Sequence, residues 1–443
     1  MLIVFGLMGL MARAQIITTV VGNGTSLPLY TDSISATSTG MSQVTGIAVD
    51  PSGNIYYADY GSTRIKKVDA TTGLVFTIAG GGSNYTSDSI PGDSVDNDCP
   101  SAVALDRLGN IYYVEPVGRI VRKINVNTGL VTILAGRHFI QGNSGDDSLA
   151  IHATLGQPEG IVIDTAGNVY ITDAVYGRVR KVTASTGIIS AFAGGGISTA
   201  DSIPATSANL GMCLGIGIDS MQNVYIATWG NHNVRKVNVT TNIITTVAGN
   251  GIIGYNGDNI PATTASLYYS WGVVVDFAGN VYIADRNNHR VRKVSSSTGL
   301  ISTIAGTGIA GYNGDNILAT TAEIKAPAGL ALDAAGNLFF SEELGNRIRK
   351  VSLITKINEV DVNNNSISIF PNPASKVLTI SLPATNIKSC TINLYDMLGE
   401  KMLPTHTLNL KLETLNISSL PQGIYFLEVL MDNEKVVRKV VKM

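Results

Sequence analysis

Apolar residues along this chain fall in short runs separated by polar turns, and the run of events in 272–306 shows the pattern most plainly. Residues 272–276 form a continuous apolar segment, 277–280 a turn, 281–285 a second segment, 286–289 a loop, 290–294 a third segment, 297–299 a turn and 301–306 a fourth. Segments this short, bounded by Gly and Asn, predict strands and not helices. The same order recurs. Asp-x-x-Gly-Asn, once with Gln for Gly, begins at Asp50, Asp106, Asp164, Asp219, Asp276 and Asp333, at spacings of 56, 58, 55, 57 and 57. Each copy is followed by a basic strand at 64–68, 121–124, 178–182, 233–237, 290–294 or 347–351. A fixed period of this size built from strands predicts a propeller or another repeat array. The phase distinguishes them. A fourth strand follows five of the copies, at 75–80, 131–136, 189–194, 244–249 and 301–306, and is missing after the sixth. Its counterpart stands at the other end, at 17–22, so the N-terminal strand completes the last blade and no edge stays open. The expected fold is all-β: a six-bladed β-propeller closed by the N-terminal strand, followed by a small C-terminal β-sandwich.

An acid ends the second strand and a base opens the third in most copies. The pairs Asp59/Arg64, Asp173/Arg178, Asp285/Arg290 and Glu342/Arg347 read as structural ion pairs latching the intervening loop. In the second copy the pair is Glu115/Arg119, one residue closer. In the fourth, Thr228 and Asn233 replace both partners together, as a direct contact predicts. The paired basics of each third strand, such as Lys66 and Lys67, read as solvated strand ends.

The Gly-Asn turn, the Tyr-Ile-Ala-Asp strand at 282–285 and the Asn-x-His/Asn-x-Arg-x-x-Lys-Val pattern resemble the NHL repeat over residues 16–351. That resemblance implies a six-bladed ring with this closure.

After Val351 the period stops, and Asn363, Asn364 and Asn365 mark a polar linker. The tail then reads as short alternating strands. Phe-Pro-Asn-Pro-Ala at 370–374, Leu-Tyr-Asp-Met-Leu-Gly at 394–399, Leu-Pro-Gln-Gly-Ile-Tyr at 420–425 and the basic end at 435–442 resemble the C-terminal sorting domain of type IX secretion cargo. This resemblance implies a Bacteroidota cell, transit through the periplasm, and release or attachment at the cell surface. Residues 2–10 are apolar and lead to Ala12-Arg13-Ala14, a signal-peptide cleavage pattern without the usual basic start. The expected organisation is a truncated signal peptide at 1–14, the propeller at 15–356, a linker at 357–366 and the sorting domain at 367–443.

Charged residues make up only 14% of the chain and the net charge is −2, which argues against a nucleic-acid partner. No membrane span and no cofactor are expected, and the chain reads as a monomer. Cys99, Cys213 and Cys390 are an odd set, so at least one thiol is expected to be free.

The long connections between a fourth strand and the next inner strand share one face with the loops between strands two and three, and such a face is where ligands meet a rigid scaffold. There Trp229, Asn231 and His232 and, one blade on, Arg286, Asn287 and His289 occupy equivalent loops, flanked by Tyr255, Asp258, Tyr312 and Asp315. Rings with amides and carboxylates suit a glycan, peptide or protein partner. His232 and His289 also belong to the repeat's own signature. Neither a catalytic constellation nor a metal-ligand cluster stands out in the sequence, so the expected function is binding. The runner-up is a metal-dependent propeller lyase or lactone hydrolase. Asp-Ser-Ile at 32–34, 88–90 and 201–203, with near matches at 93–95 and 147–149, resembles an acceptor for periplasmic O-glycosylation at Ser33, Ser89 and Ser202. Blades with Ser would carry sugar, and blades four to six, with Asn259 and Asn316 in the later loops, would stay bare. Asp-Asn-Ile in those loops also fits a plain turn.

Overall fold

The computed structural model describes residues 15–26, 32–85, 88–353, 368–372, 374–381, 390–395, 401–407, 412–431 and 434–442. Residues 1–14, expected as a signal segment, and 357–366, expected as a linker, lie outside them. The chain divides into two units, Met1–Leu353 and Ile354–Met443.

Six antiparallel sheets make up the first unit, each with five strands. In the first blade the inner strand Val44–Val49 leads outward through Ile55–Asp59, Arg64–Val68 and Leu74–Ala79. Four strands per blade were expected. A fifth, two residues long, is added on the outer edge by the preceding long loop, as Ile34–Ser35 pairs with Leu74 and Val75. The ring closes as the phase of the repeats requires. Gln15–Val21 lies between Arg347–Leu353 and Ile317–Leu318, with Ile17 opposite both Val351 and Ile317. Ile17 is fully buried there beside Phe340 and Val351. An outer edge left open would instead offer a template for another chain.

The core is divided among the blade interfaces. Tyr282 and Ala284 of blade five, for example, share one cluster with Leu330 and Phe340 of blade six. Inner strands come so close that a Cβ on Gly46 would sit 2.4 Å from Cα of Ala102 in the next blade.

The repeated Asp-x-x-Gly-Asn is a double clasp. Asp50 accepts the backbone N–H groups of Ser52 and Asn54 and the side-chain amide of Asn54, while the Asn54 side-chain Oδ1 takes the backbone N–H of Ala70 in the neighbouring turn. Gly53 has φ +85°, and Gln222 in the deviant copy occupies the same left-handed region at +67°.

Beneath the opposite face, the charges pair differently from the sequence expectation. Asp59/Arg64, Asp173/Arg178, Asp285/Arg290 and Glu342/Arg347 do lie opposite one another across their strands. Yet the carboxylates of Glu115, Asp285 and Glu342 take the base two positions past their cross-strand neighbours Ile120, Arg290 and Arg347, with Arg122 at 2.7 Å, Arg292 at 3.4 Å and Arg349 at 3.1 Å. The opposite arginines overshoot toward loop carbonyls: Arg290 to Asn288 and Thr307, Arg347 to Gly345 and Asn23. Arg178 reaches Asp146 at 3.6 Å. Arg119 sits in the loop at φ +60°, the place held by Thr63 and His232, so it was never the pairing base of blade two. The first basic residue of each third-strand pair is therefore buried and not solvated, as Lys66, Arg122, Arg180, Arg235, Arg292 and Arg349 are. The second lies over a ring, as Lys123 does 5.2 Å from the centroid of Tyr112.

In the second unit, the sheet Ser368–Phe370, Val377–Ser381 and Leu412–Asn416 and a four-stranded sheet around Gly423–Met431 share one core through Leu378, Ile380, Leu394, Leu427 and Val429. This is the small sandwich.

Candidate functional site: the loop face around blades four and five

The structure divides the ten candidate ligand residues into two sets. Tyr255, Asp258, Tyr312 and Asp315 lie toward the outer edge and are tied into the blades. The Tyr255 ring covers the guanidinium groups of Arg290 at 3.9 Å and Arg292 at 4.8 Å, and Tyr312 covers Arg347 at 3.9 Å and Arg349 at 5.0 Å. Asp258 accepts from Arg292 at 2.9 Å and from the Thr303 hydroxyl at 3.1 Å. Asp315 accepts from Arg349 at 3.0 Å and from the backbone of Thr19 at 2.8 Å, which also fastens the closing strand. One guanidinium thus joins two carboxylates, Asp285 and Asp258 in blade five, Glu342 and Asp315 in blade six. The fork of donors on arginine makes this double pairing geometrically easy.

The inner set lies on the loops between strands two and three of blades four and five. Trp229 stacks on Tyr269 with centroids 3.9 Å apart and planes inclined by 12°. Its indole N–H is buried without an acceptor among the described residues. Asn231 donates its amide to the Asn209 carbonyl at 3.0 Å. His232 accepts the backbone N–H of Tyr269 at 3.4 Å through Nδ1, and His289 accepts that of Ala326 at 3.2 Å. Each histidine thereby clips its blade to the next, and burial lowers both pKa values. Arg286 pairs with Glu343 at 2.6 Å, lies 5.3 Å from the Trp271 ring and donates to the Asn287 side chain at 2.7 Å.

Blade four differs from its neighbours in one respect that makes space. Ser198 stands three residues before Asp201, where blade five has Tyr255 before Asp258, and Asn233 stands for Arg290. The ring-and-guanidinium stack that fills blades five and six is therefore missing. In its place is a cavity of about 490 Å3, lined by Thr199, Asp201, Asn231, Asn233, Arg235, Thr246 and Asn250. The buried Arg235 keeps Asp201 at 3.1 Å and the Ala200 carbonyl at 2.9 Å. Thr228, in the place of the second-strand acid, offers it no carboxylate and donates to Asn233 instead.

The sequence reading missed three residues of the mouth: Glu159, Trp271 and Glu343. Thr45, Ser101, Glu159, Leu214 and Trp271 line the upper channel, above an aliphatic wall of Ile47, Val103, Ile161, Ile216, Val273 and Leu330. Burial pushes Glu159 up to about 7, against the opposing effect of hydrogen bonds from Gln157 and Ser101. A glutamate in the otherwise apolar inner strand Pro158–Ile163 was the signal available for it.

Ser33, Ser89 and Ser202 are exposed and sit at left-handed φ of 63°, 58° and 60°, as Asn259 and Asn316 do at 60° and 61°. In blade three that place belongs to Asp147, at φ 63°, so Asp146 and not Asp147 opens the tripeptide. Ser94 falls in a separate 3-10 turn, Gly92–Ser94. The Ser202 loop packs on blade four, so the Asn loops belong to blades five and six alone.

Among the described residues, no helix is long and apolar enough to cross a membrane, and Cys99 and Cys213 are free. The NHL repeat family matches residues 267–294, and the secretion system C-terminal sorting domain matches 368–443. NHL repeat-containing protein 2 of Bos taurus is 26% identical over 286 residues, covering 56% of this chain and 38% of its own. The chain thus spans well under half of that relative. An auxiliary nutrient binding protein from Bacteroides thetaiotaomicron has a similar fold, with TM-score 0.56, 17% identity and coverage of 77% of this chain and 76% of that one. A gluconolactonase from Xanthomonas campestris has TM-score 0.50, 13% identity and coverage of 77% and 91%. The chain thus carries an NHL repeat within its β-propeller and a secretion system C-terminal sorting domain at residues 368–443.

Proposed function

We propose that this is an exported binding protein that takes a neutral glycan in the groove of blade four, with the Trp229–Tyr269 stack beside it. The observation that carries this is the groove itself: about 490 Å3 of space lined by amides, hydroxyls and one Arg–Asp pair. A cavity of that size falls within the roughly 300–1,000 Å3 of small-ligand sites. Amides and hydroxyls in its lining supply both donors and acceptors, which suits the hydroxyls of a sugar, while the Trp229–Tyr269 rings offer a flat apolar surface to a pyranose face. The sorting domain supports export to the cell surface or the medium, by way of the periplasm and the type IX machinery. A fold shared with auxiliary nutrient binding proteins is compatible with this role.

The test is a screen of neutral oligosaccharides against the full chain by calorimetry. One class binds with one site per chain, and Asn231→Ala and Trp229→Ala each weaken it at least tenfold while leaving the ring folded. Binding that neither change alters would place the ligand elsewhere.

A hydrolase or lyase remains the second reading, favoured by one observation: Glu159, near neutrality in its pKa, in the channel mouth. Its metal-dependent form gains no support from the channel, where no group of three His, Cys, Asp or Glu side chains converges among the described residues.

A further inference from the structure

The repeats also identify a place where two unrelated departures meet. Two residues past the fourth strand's terminal glycine the repeat has glycine, at Gly82, Gly196, Gly251 and Gly308; after Gly136 that position is His138. Seventeen residues before the second-strand acid, the other blades have Ser42, Gly156, Gly211, Tyr268 and Lys325; blade two has Asp98. The ring brings the two substitutions onto a third group. Nε2 of His138 lies 2.6 Å from Oδ2 of Asp98, and a ligand atom of Glu115 completes a set within 4.8 Å of one another. Glu115 is fully buried; Arg122 holds its Oε1 at 2.7 Å, and its Oε2 accepts the backbone N–H of Asp98 at 3.2 Å.

We propose that Asp98, Glu115 and His138 form a binding site for a divalent transition cation, zinc foremost, in blade two. One imidazole and two carboxylates are a donor set zinc accepts, with a fourth position left for water. Arg122 would act on the carboxylate from outside the ligand set, fixing its orientation. Gly118 keeps the front of the site clear: a Cβ there would stand 3.0 Å from the carboxylate oxygens of both Asp98 and Glu115. The rings of Phe139 and Tyr85, 4.0 Å and 5.8 Å from the imidazole, screen it from water. The acid-terminated strand and its arginine explain Glu115 as they explain Asp285 with Arg292 and Glu342 with Arg349. They do not explain why blade two alone adds a histidine and a second acid in front of it.

The full chain, stripped with chelator, is titrated with zinc chloride by calorimetry. The expected result is one saturable zinc per chain. His138→Gly, which restores the residue of the other repeats, and Asp98→Ser, which restores that of blade one, each weaken binding at least tenfold, while melting temperature in chelator shows both variants folded. Should His138→Gly fail to fold, Asp98→Ser decides. A parent chain that takes up no zinc, or a folded variant that binds zinc as tightly as the parent, overturns the site and leaves His138 and Asp98 as a simple ion pair.

Discussion

Blades four and five are built on the same pattern 57 residues apart, yet one is filled and the other has a groove. In blade five, Asp285, Arg292 and Asp258 form a continuous charged chain, and Tyr255 with Arg290 lies over it. In blade four the acid is Thr228, the outer arginine is Asn233 and the ring is Ser198, while the buried Arg235 persists. The long loops alone do not make a binding site here, because in blades five and six their side chains are spent on holding the blade. Space appears where the repeat omits its own filler.

This contrast predicts unequal costs for the same substitution. Arg292→Ala leaves two acids without their base, one of them fully buried, and should cost about 3–5 kcal/mol. Arg235→Ala strands only the half-exposed Asp201 and should cost about 1–2 kcal/mol. Urea denaturation of both variants measures this, and equal costs would break the comparison. The converse is to rebuild blade five in blade four. Ser198→Tyr with Asn233→Arg should close the groove, lower the proposed glycan binding at least tenfold in calorimetry, and raise stability by about 1 kcal/mol through the restored stack.

Polarity in the groove rests largely on amides and hydroxyls, whereas that of the mouth rests on the Glu159 carboxylate and the Arg286–Glu343 pair. Burial holds Glu159 at about 7, above the ordinary 4.5, so the folded chain keeps a proton that the unfolded chain has released. Its contribution is present below about pH 4.5 and is lost as pH rises through 7. Thermal melts from pH 4.5 to 7.5 should therefore show a decline in the parent that Glu159→Gln flattens by a few degrees. The smallest effect concerns the outer loops. Ser202 of blade four and Asn259 of blade five share one left-handed position. In protein from its native host, peptide mass mapping should find added sugar mass on Ser202, Ser33 and Ser89 and none on Asn259; unmodified serines would leave the tripeptide a turn and nothing more.

Much of this architecture was legible along the chain because its causes are local. Alternation, Asp-x-x-Gly-Asn and the displaced fourth strand act within a few residues of themselves, so period, blade number and closure follow from reading in order. Pairing within a blade was only half legible. The joint replacement of acid and base by Thr228 and Asn233 correctly marked blade four as different, but spacing along the chain does not tell an opposite neighbour from a diagonal one. Side-chain reach chose Arg292 over Arg290 for Asp285. The ligand candidates show the same limit. Tyr255 and Tyr312 look exposed and aromatic in sequence, and the fold uses their rings to cover guanidinium groups.

By itself, then, the sequence determined a closed ring of six blades and a separate secretion domain, since strand length, turn chemistry and repeat phase are properties of short segments. Only the tertiary structure decided where open space and converging chemistry lie. Glu159, Trp271 and Glu343 meet at one mouth from three blades, and Asp98, Glu115 and His138 meet in one blade from three loops and strands. A ring brings distant segments together at its axis and neighbouring loops together at its face, and those distances exist only once the last strand has closed it.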